Sequence, residues 1–341
     1  MYRLICLFFY FENEHEKIRK YIYLLLIFSY VSFTSCEDFA LGEKFLQKPP
    51  SGDVTIDTIF STAEYARRVL WYAYSKLPYG FSTGYNNSTS MRVGSIESLT
   101  DLAQSYVGYA GADKLYYPGL YNAGSEDESG GEDHATKYNM YARDPWKGIR
   151  HAWVFINNVD RVPDMTAEEK LRLKAEAKIT IAVQYSEMLR HYGALPIVDH
   201  AIMPEEMGLP ERATLQQTVD FITRLLDEAI ACKELPWALP EDDLSNESGR
   251  MTGAAAMGLK LRVLLFVASP LFNSDEPYFP GEASDKLMTW FGGYSEQRWK
   301  DAAKAGEDFF KSWKQGGFYE LVQKETATKN TIRQAFQDAY Y

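Results

Sequence analysis

Apolar residues recur three and four positions apart along much of the chain after residue 60, which is the spacing of one face of an amphipathic helix. Six segments with this period also carry residues that commonly start or stop helices. They start near Ser61, Asp144, Thr166, Thr214, Thr252 and Ser295. Strand patterns are weak, and the best of them is a short extended piece over residues 194–202. The chain is therefore predicted to be mostly α.

Capping boxes mark three of these helix starts. In such a box a Ser or Thr side chain caps the helix, and a Glu or Gln side chain three residues later reaches back to the cap. The pairs are Ser61 with Glu64, Thr166 with Glu169, and Thr214 with Gln217. Gly193, followed by Pro196, is expected to end the helix that starts at Thr166.

The segment from Thr252 to Pro270 differs from the others because it is apolar nearly all round. Its large apolar residues are Met257, Leu261, Leu264, Leu265, Phe266 and Val267. A helix without a polar face is normally buried on all sides. This segment is therefore predicted to be the most buried helix of the protein.

The stretch from Tyr79 to Arg143 lacks helical period and is rich in Tyr, Gly, Ser, Asn and Asp. A loop this long inside a compact domain is normally functional or disordered, and disordered segments are poor in aromatic residues. Because this stretch holds nine tyrosines, it is predicted to be largely an ordered excursion that carries a surface. Its acidic tip, residues 125–133, does not have the spacing of an EF-hand loop, so a solvated loop is expected there rather than a calcium site.

The N-terminus has the layout of a secretory signal. Tyr21 to Val31 is an apolar run behind Lys17, Arg19 and Lys20, and it is shorter than the roughly 20 residues that a spanning helix needs. The residues Phe33-Thr34-Ser35-Cys36 resemble a bacterial lipobox, in which the cysteine is acylated and becomes the new N-terminus. Residues 1–35 are accordingly predicted to be a lipoprotein signal peptide, with Cys36 as the lipidation site. The alternative is a core helix that contains a chance cysteine.

Composition narrows the possible functions. The net charge is −11 and no cluster of Lys and Arg is present, so a nucleic-acid partner is not expected. The three cysteines are Cys6, Cys36 and Cys232. If Cys6 leaves with the signal and Cys36 carries lipid, Cys232 has no partner, and no internal disulfide is expected.

The sequence gives little support to a catalytic or cofactor site. It contains no HExxH or P-loop motif and no GxGxxG before a helix, and its five histidines are scattered. No catalytic residue, cofactor or metal site is therefore predicted. A glycoside hydrolase stays open as an alternative. Such an enzyme needs two carboxylates close together, and among 47 acidic residues some pair can always be chosen from the sequence. A scaffold that binds protein or peptide is the other alternative.

Six segments together resemble the SusD/RagB family of surface glycan-binding lipoproteins, over Cys36 to about Trp313. Thr100 to Ala103 resembles a turn of that family. The others are "FLQKPPSGDVTIDTIFSTAEYA", "PWKGIRHAWVFINNVD", "AEAKITIAVQYSEMLRHYGALPIV", "GRMTGAAAMGLKLRVLLFVASPLFN" and "RWKDAAKAGEDFF". Each is weak alone, but they occur in the family's order behind a lipobox.

The resemblance implies a fold and a role. The fold would be a tetratricopeptide-like right-handed α-superhelix of helix pairs with long irregular loops. Residues 36–341 would be the N-terminal part of the family's domain, including the excursion 79–143, with the C-terminal part missing. The protein would be lipid-anchored at the outer membrane, exposed at the cell surface, and would pass oligosaccharide to a SusC-like TonB-dependent transporter without catalysis.

The resemblance also places the ligand in two loops. Aromatic rings can stack on the C–H faces of sugars while polar side chains bond the hydroxyls. The residues predicted to bind are Asp101, Gln104, Tyr106 and Tyr109 in the first loop and Tyr278, Trp290 and Tyr294 in the second. Asp101 alone lies in a matched motif.

Overall fold

The computed structural model describes residues 55–77, 101, 104, 117–120, 144–203, 206, 208, 210–239, 242, 244–320, 322, 326 and 328–340. Within these residues the long helices are α1 (Ala63–Ser75), α2 (Asp144–Asn158), α3 (Ala167–Tyr192), α4 (Leu215–Ile230), α5 (Gly253–Val267), α6 (Glu296–Gly316) and α7 (Lys329–Tyr340). Single helical turns lie at Ile56–Ile59, Leu244–Glu247 and Glu282–Asp285, and a 3-10 turn at Val159–Arg161. The predicted signal peptide, Cys36 and nearly all of residues 79–143 lie outside the described residues.

The helix starts follow the sequence signals closely. Thr214 and Gln217 form a complete capping box, with bonds of 3.2 and 2.9 Å. The Thr166 hydroxyl accepts from the backbone N–H of Glu169 at 3.2 Å, but the Glu169 carboxylate does not turn back to the cap. It accepts instead from Arg67 of α1 at 2.6 and 2.9 Å, so this box is half formed.

The predicted cap of α1 is wrong by one residue. Thr62, not Ser61, is the cap, and its hydroxyl accepts from the backbone N–H of Tyr65 at 3.4 Å. The Ser61 hydroxyl donates to the Thr58 carbonyl at 2.8 Å. Ser61 therefore closes the preceding helical turn, which leaves Thr62 as the nearest side chain able to cap.

The long helices pack in chain order. α1 packs on α2, α2 on α3, α3 on α4, α4 on α5, and α5 on α6. Packing mainly between neighbours along the chain is typical of stacked helix pairs such as tetratricopeptide arrays. The predicted extended piece near residue 196 takes part in one antiparallel bridge, between Pro196 and Arg212.

The centre of the core is α3. Tyr185 on this helix is fully buried and makes edge contacts with Phe221 and Trp146, at ring distances of 4.8 and 6.0 Å. Its hydroxyl donates to the Pro196 carbonyl at 2.9 Å and accepts from the Val198 N–H at 2.8 Å. The ring thus fixes the segment that follows α3, and burial raises the pKa of the Tyr185 hydroxyl.

The prediction that the Thr252 helix is the most buried one is wrong. The buried residues of that helix, α5, are Ala254, Ala256, Val263 and Val267, whereas half of the residues of α3 are buried. Leu265 is 51% exposed. An apolar composition gives the tendency to be buried, but the number of neighbouring helices decides the outcome, and α3 has packed helices on more sides.

A buried charge network joins α1, α3 and the segment before α5. The Glu176 carboxylate, which is fully buried, accepts from Arg250 at 2.5 and 3.2 Å, from Arg172 at 3.0 Å and from the Tyr74 hydroxyl at 2.8 Å. Glu247 pairs with both arginines. Two carboxylates therefore face two guanidinium groups, and the network carries no net charge.

No described helix is both long enough and apolar enough to cross a membrane.

Candidate functional site

A cleft of about 460 Å³ opens where the end of α3 meets the loop between α5 and α6. One wall is the α3 terminus, from Leu189 to Gly193. The other wall is formed by Leu271, Phe272, Tyr278, Phe279, Pro280, Gly281, Glu282, Ala283, Ser284 and Thr289. We call this the aromatic cleft.

Backbone hydrogen bonds hold the loop against the end of α3 and the start of α4. The N–H of Ala194 donates to the Met288 carbonyl at 2.7 Å, and the N–H of Leu215 donates to the Leu287 carbonyl at 2.8 Å. Gly193, the C-cap of α3, has φ +73° and ψ −134°. A β-carbon there would lie 2.7 Å from the Met288 carbonyl oxygen. Only glycine therefore allows this close approach of helix end and loop.

The base of the loop is tied by Asn273, which is buried. Its amide donates to the carbonyls of Ala268 and Ser295 at 3.2 and 3.0 Å. Its side-chain oxygen accepts from the Ser295 N–H at 2.7 Å and from Arg298 at 2.8 Å. One side chain thus joins the end of α5 to the start of α6, so the loop begins and ends at a fixed place.

Two exposed rings stand at the lip of the cleft. Tyr278 and Phe279 are 82% and 81% exposed, and both line the cleft. Pro277 and Pro280 bracket them, and proline fixes the backbone φ angle. Neighbouring large rings left in water on a constrained loop are typical of a binding surface.

The structure brings together only part of the predicted ligand set. Tyr278 lines the aromatic cleft. Trp290 does not line the cleft; it is half-buried, and its indole N–H donates to the carbonyl of the lining residue Ser284 at 2.9 Å, so it supports the cleft. Tyr294 is 54% exposed but does not line the cleft.

The first-loop residues do not contribute to this cleft where they can be placed. Asp101 and Gln104 are exposed and neither lines it. Tyr106 and Tyr109 lie outside the described residues, so their predicted role stays a prediction.

The ligand-binding residues predicted from the sequence include neither Phe279 nor any residue of the α3 wall. The pattern Pro-Tyr-Phe-Pro at residues 277–280 was a usable signal for Phe279, because two prolines restrain adjacent rings. No local signal pointed to Arg190 or His191. They reach the cleft only because the loop folds back onto the end of α3.

A second polar cluster follows the aromatic cleft in the chain. His200 bonds Asp199 through Nδ1 and Glu206 through Nε2, both at 2.8 Å. The bonds to Glu206 and Asp199 raise the pKa of His200, and the bond to His200 lowers the pKa of Glu206. The cluster is exposed. Across the described ranges, no group of three or more His, Cys, Asp or Glu side chains is arranged to hold a metal ion.

This cluster gives a pH prediction. The contribution of His200 to stability is fully present below the ordinary histidine pKa of about 6.5. It is lost as the pH rises through the raised pKa. We expect the NMR titration midpoint of the His200 imidazole to lie above 6.5 and to fall in Glu206→Gln. Glu211→Gln, at an exposed residue outside the cluster, should leave the midpoint unchanged, and equal shifts in both variants would contradict the assignment.

No protein-family model matches the chain, and no curated protein matches it in sequence. Solved structures do match. The chain is similar to the protein BT4246, with 22% identity and a TM-score of 0.58, over 81% of this chain and 43% of that one. It is also similar to a SusD-like protein from Bacteroides fragilis, with 18% identity and a TM-score of 0.50, over 82% and 43% of the two chains.

A SusD homologue from Bacteroides thetaiotaomicron matches at 18% identity and a TM-score of 0.50, over 77% of this chain and 49% of that one. The chain has a SusD-like fold. The predicted fold class, mostly α and tetratricopeptide-like, is thereby confirmed. The SusD-like chain described here spans less than half the length of each of these structures.

Proposed function

We propose that this SusD-like protein binds oligosaccharide in the aromatic cleft and delivers it, without chemical change, to a TonB-dependent outer-membrane transporter of the SusC type. The observation that carries the proposal is the pair of exposed rings, Tyr278 and Phe279, at the lip of a cleft in a SusD-like fold. The resemblance of the sequence to a family of surface glycan-binding lipoproteins supports it independently.

The rings suit the chemistry of a sugar. A pyranose ring presents C–H bonds on its faces and hydroxyls at its edge. Stacking on Tyr278 or Phe279 buries apolar area without loss of a hydroxyl hydrogen bond. Because each hydroxyl bond nets only about 0.5–1.5 kcal/mol against water, rigid rings are expected to supply much of the affinity.

The edge of the cleft offers groups for the hydroxyls. Arg190, His191 and Glu282 line it, and all three are exposed or partly exposed. Such side chains can donate to or accept from ring hydroxyls, so they would orient a sugar that stacks on the lip.

Placement at the cell surface is part of the proposal. Acylation of Cys36 would hold the protein at the outer membrane, within reach of a transporter. Membrane anchoring by lipid usually needs more than one signal, and an N-terminal lipoprotein cysteine would supply several acyl chains at one residue. Cys36 lies outside the described residues, so the proposed lipid anchor rests on the sequence alone.

The test is the loss of glycan binding when the rings are removed. A glycan array identifies the best-retained glycan, and its affinity is then measured by calorimetry for Tyr278→Ala and Phe279→Ala. We expect each variant to bind about tenfold more weakly, or about 1.4 kcal/mol, with an unchanged melting temperature because both side chains are exposed.

The matched control is Tyr65→Ala, at an exposed tyrosine of α1 away from the cleft, which should bind as the parent does. Affinity that survives in both ring variants would remove the aromatic cleft from the function. Shorter oligosaccharides appearing in the binding mixture would contradict the non-catalytic role.

A further inference from the structure

We infer that the aromatic cleft takes a glycan without acidic groups, because the loop that carries its two exposed rings is itself acidic. The inference rests on the proposed function and adds the charge class of the ligand. It comes from the uneven distribution of charge between that loop and the end of α3.

The loop between α5 and α6 is rich in carboxylates. Residues 274–286 contain four acids and one lysine, a net charge of −3. The acids are Asp275, Glu276, Glu282 and Asp285, and all four are exposed. Glu276 lies two residues before Tyr278, and Asp285 directly follows Ser284, which lines the cleft. The two rings therefore stand among carboxylates that are open to water.

One of these four acids has a cation as its partner. Lys286 pairs with Glu282 at 2.6 Å. Within the part of the chain that the structure describes, no Lys, Arg or His side chain lies within 4.0 Å of the carboxylates of Asp275, Glu276 and Asp285. Three negative charges on the loop are therefore not paired.

The cations near the cleft do not offset these acids. Arg190 is the one Arg or Lys among the described lining residues, and it shares Glu187 with Arg262, at 2.9 and 4.0 Å. Arg212 bonds two backbone carbonyls at the end of α3, and its neighbour in the chain is Glu211. Acids therefore outnumber cations around the cleft, and the excess lies on the loop that carries the rings.

A ligand that stacks on the rings comes within range of this negative charge. The Cα atoms of Glu276 and Tyr278 are at most about 7 Å apart, because two residues of extended chain span no more. The screening length at physiological ionic strength is about 8 Å. A carboxylate or sulfate on a sugar stacked at the lip would therefore be repelled before salt screens the interaction.

A neutral glycan meets no such repulsion. Its hydroxyls can donate to the loop carboxylates, which accept hydrogen bonds when ionised. The same acids can thus bind one class of glycan and reject the other. Specificity of this kind comes from an unfavourable contact with the wrong ligand as much as from a favourable contact with the right one.

The experiment begins with an array of neutral, uronate-bearing and sulfated glycans, probed with the purified chain at low salt. We expect retention of neutral glycans. The best-retained one is then compared with its carboxymethylated derivative and with a hydroxyethylated derivative of equal substitution, which adds bulk without charge. The carboxymethylated form should bind roughly fivefold more weakly than the hydroxyethylated form, and rising salt should narrow this gap.

Two variants test the loop charges. The combined variant Asp275→Asn, Glu276→Gln and Asp285→Asn should remove most of the gap between the two derivatives. It should leave the affinity for the hydroxyethylated glycan nearly unchanged, because amide oxygens still accept from hydroxyls. Lys286→Gln should widen the gap, because it leaves the charge of Glu282 without its partner.

A matched control removes the same amount of charge elsewhere. Glu64, Asp160 and Glu168 are exposed and lie near the start of α3, whereas the cleft lies at its end. This helix has 26 residues and is about 39 Å long. The combined variant Glu64→Gln, Asp160→Asn and Glu168→Gln should therefore keep the full gap between the two derivatives.

The outcomes separate this inference from the proposed function. Retention of uronate-bearing or sulfated glycans in place of neutral ones overturns the inference while glycan binding stands. Equal affinity for the two derivatives at low salt, or equal narrowing of the gap in the loop variant and the control, also overturns it. An array that retains no glycan overturns the proposed function itself.

Discussion

Glu176→Ala should lower the free energy of unfolding by about 3–5 kcal/mol, which is the usual cost of breaking one member out of a buried ion-pair network. The substitution leaves Arg250 and Arg172 facing Glu247 alone, and it removes the acceptor of the Tyr74 hydroxyl. Because Glu176 is fully buried, water cannot easily replace these bonds. Urea unfolding followed by circular dichroism measures the change.

Glu64→Ala is the control for this prediction. Glu64 pairs with Arg68 at 2.6 Å, but both side chains are about two-thirds exposed. Exposed pairs contribute about 0–1 kcal/mol, so the midpoint of unfolding should barely move. Similar losses for Glu64→Ala and Glu176→Ala would mean that burial does not distinguish the two pairs, and the network would lose its assigned role.

Gly193→Ala should be the second severe substitution. The backbone conformation at Gly193, with positive φ and strongly negative ψ, costs a residue with a β-carbon about 1–3 kcal/mol. The added carbon would also press on the Met288 carbonyl at 2.7 Å. Relief requires the loop to move away from α3, so both stability and binding in the aromatic cleft should fall.

Gly317→Ala separates the effect of backbone strain from the effect of the contact with the Met288 carbonyl. Gly317 caps α6 with φ +61° and ψ −145°, close to the values at Gly193, but a β-carbon there meets no atom within 4 Å. It should lose stability through backbone strain alone and keep its glycan affinity. If calorimetry and thermal unfolding give the same profile for the two alanine variants, the contact with Met288 has no part in shaping the cleft.

Sequence reasoning succeeded where the signal and its partner are close in the chain. Thr214 and Gln217 are three residues apart, and their capping box forms as predicted. Glu169 has the same spacing from Thr166, but its carboxylate accepts a hydrogen bond from Arg67, which lies 102 residues away in the chain. The spacing of nearby residues cannot show such a distant partner, so the capping box predicted for Thr166 and Glu169 forms only in part.

The candidate site was predicted less well because its walls come from different parts of the chain. The loop after α5 could be chosen from residue types and from the family resemblance, and Tyr278 was found in this way. The contribution of Trp290 depends on its hydrogen bond to the Ser284 carbonyl, and no pattern in the sequence predicts that bond. Arg190 enters only through the fold of the loop onto α3.

The motifs that suggested the family have mainly structural roles in this chain. Glu176 belongs to "AEAKIT" and Arg250 to "GRMTG", and the two meet in the buried network. Asn273 ends "VASPLFN" and ties the loop. A match through such residues identifies a fold reliably, but it says little about which ligand is bound.

Asn273 fixes the two ends of the loop between α5 and α6. Substitutions within the loop are therefore expected to affect the supporting helices less than substitutions at its anchor points. Residues 274–286 leave from and return to anchor points that are set by Asn273, Gly193 and Met288. Insertions, deletions or exchanged rings in residues 274–280, ahead of the buried Ser284 and of Ala283, which bonds Met288, need not disturb the helices below. Selection could therefore alter the ligand preference proposed for the aromatic cleft by changing one segment, while the helical framework stays constant.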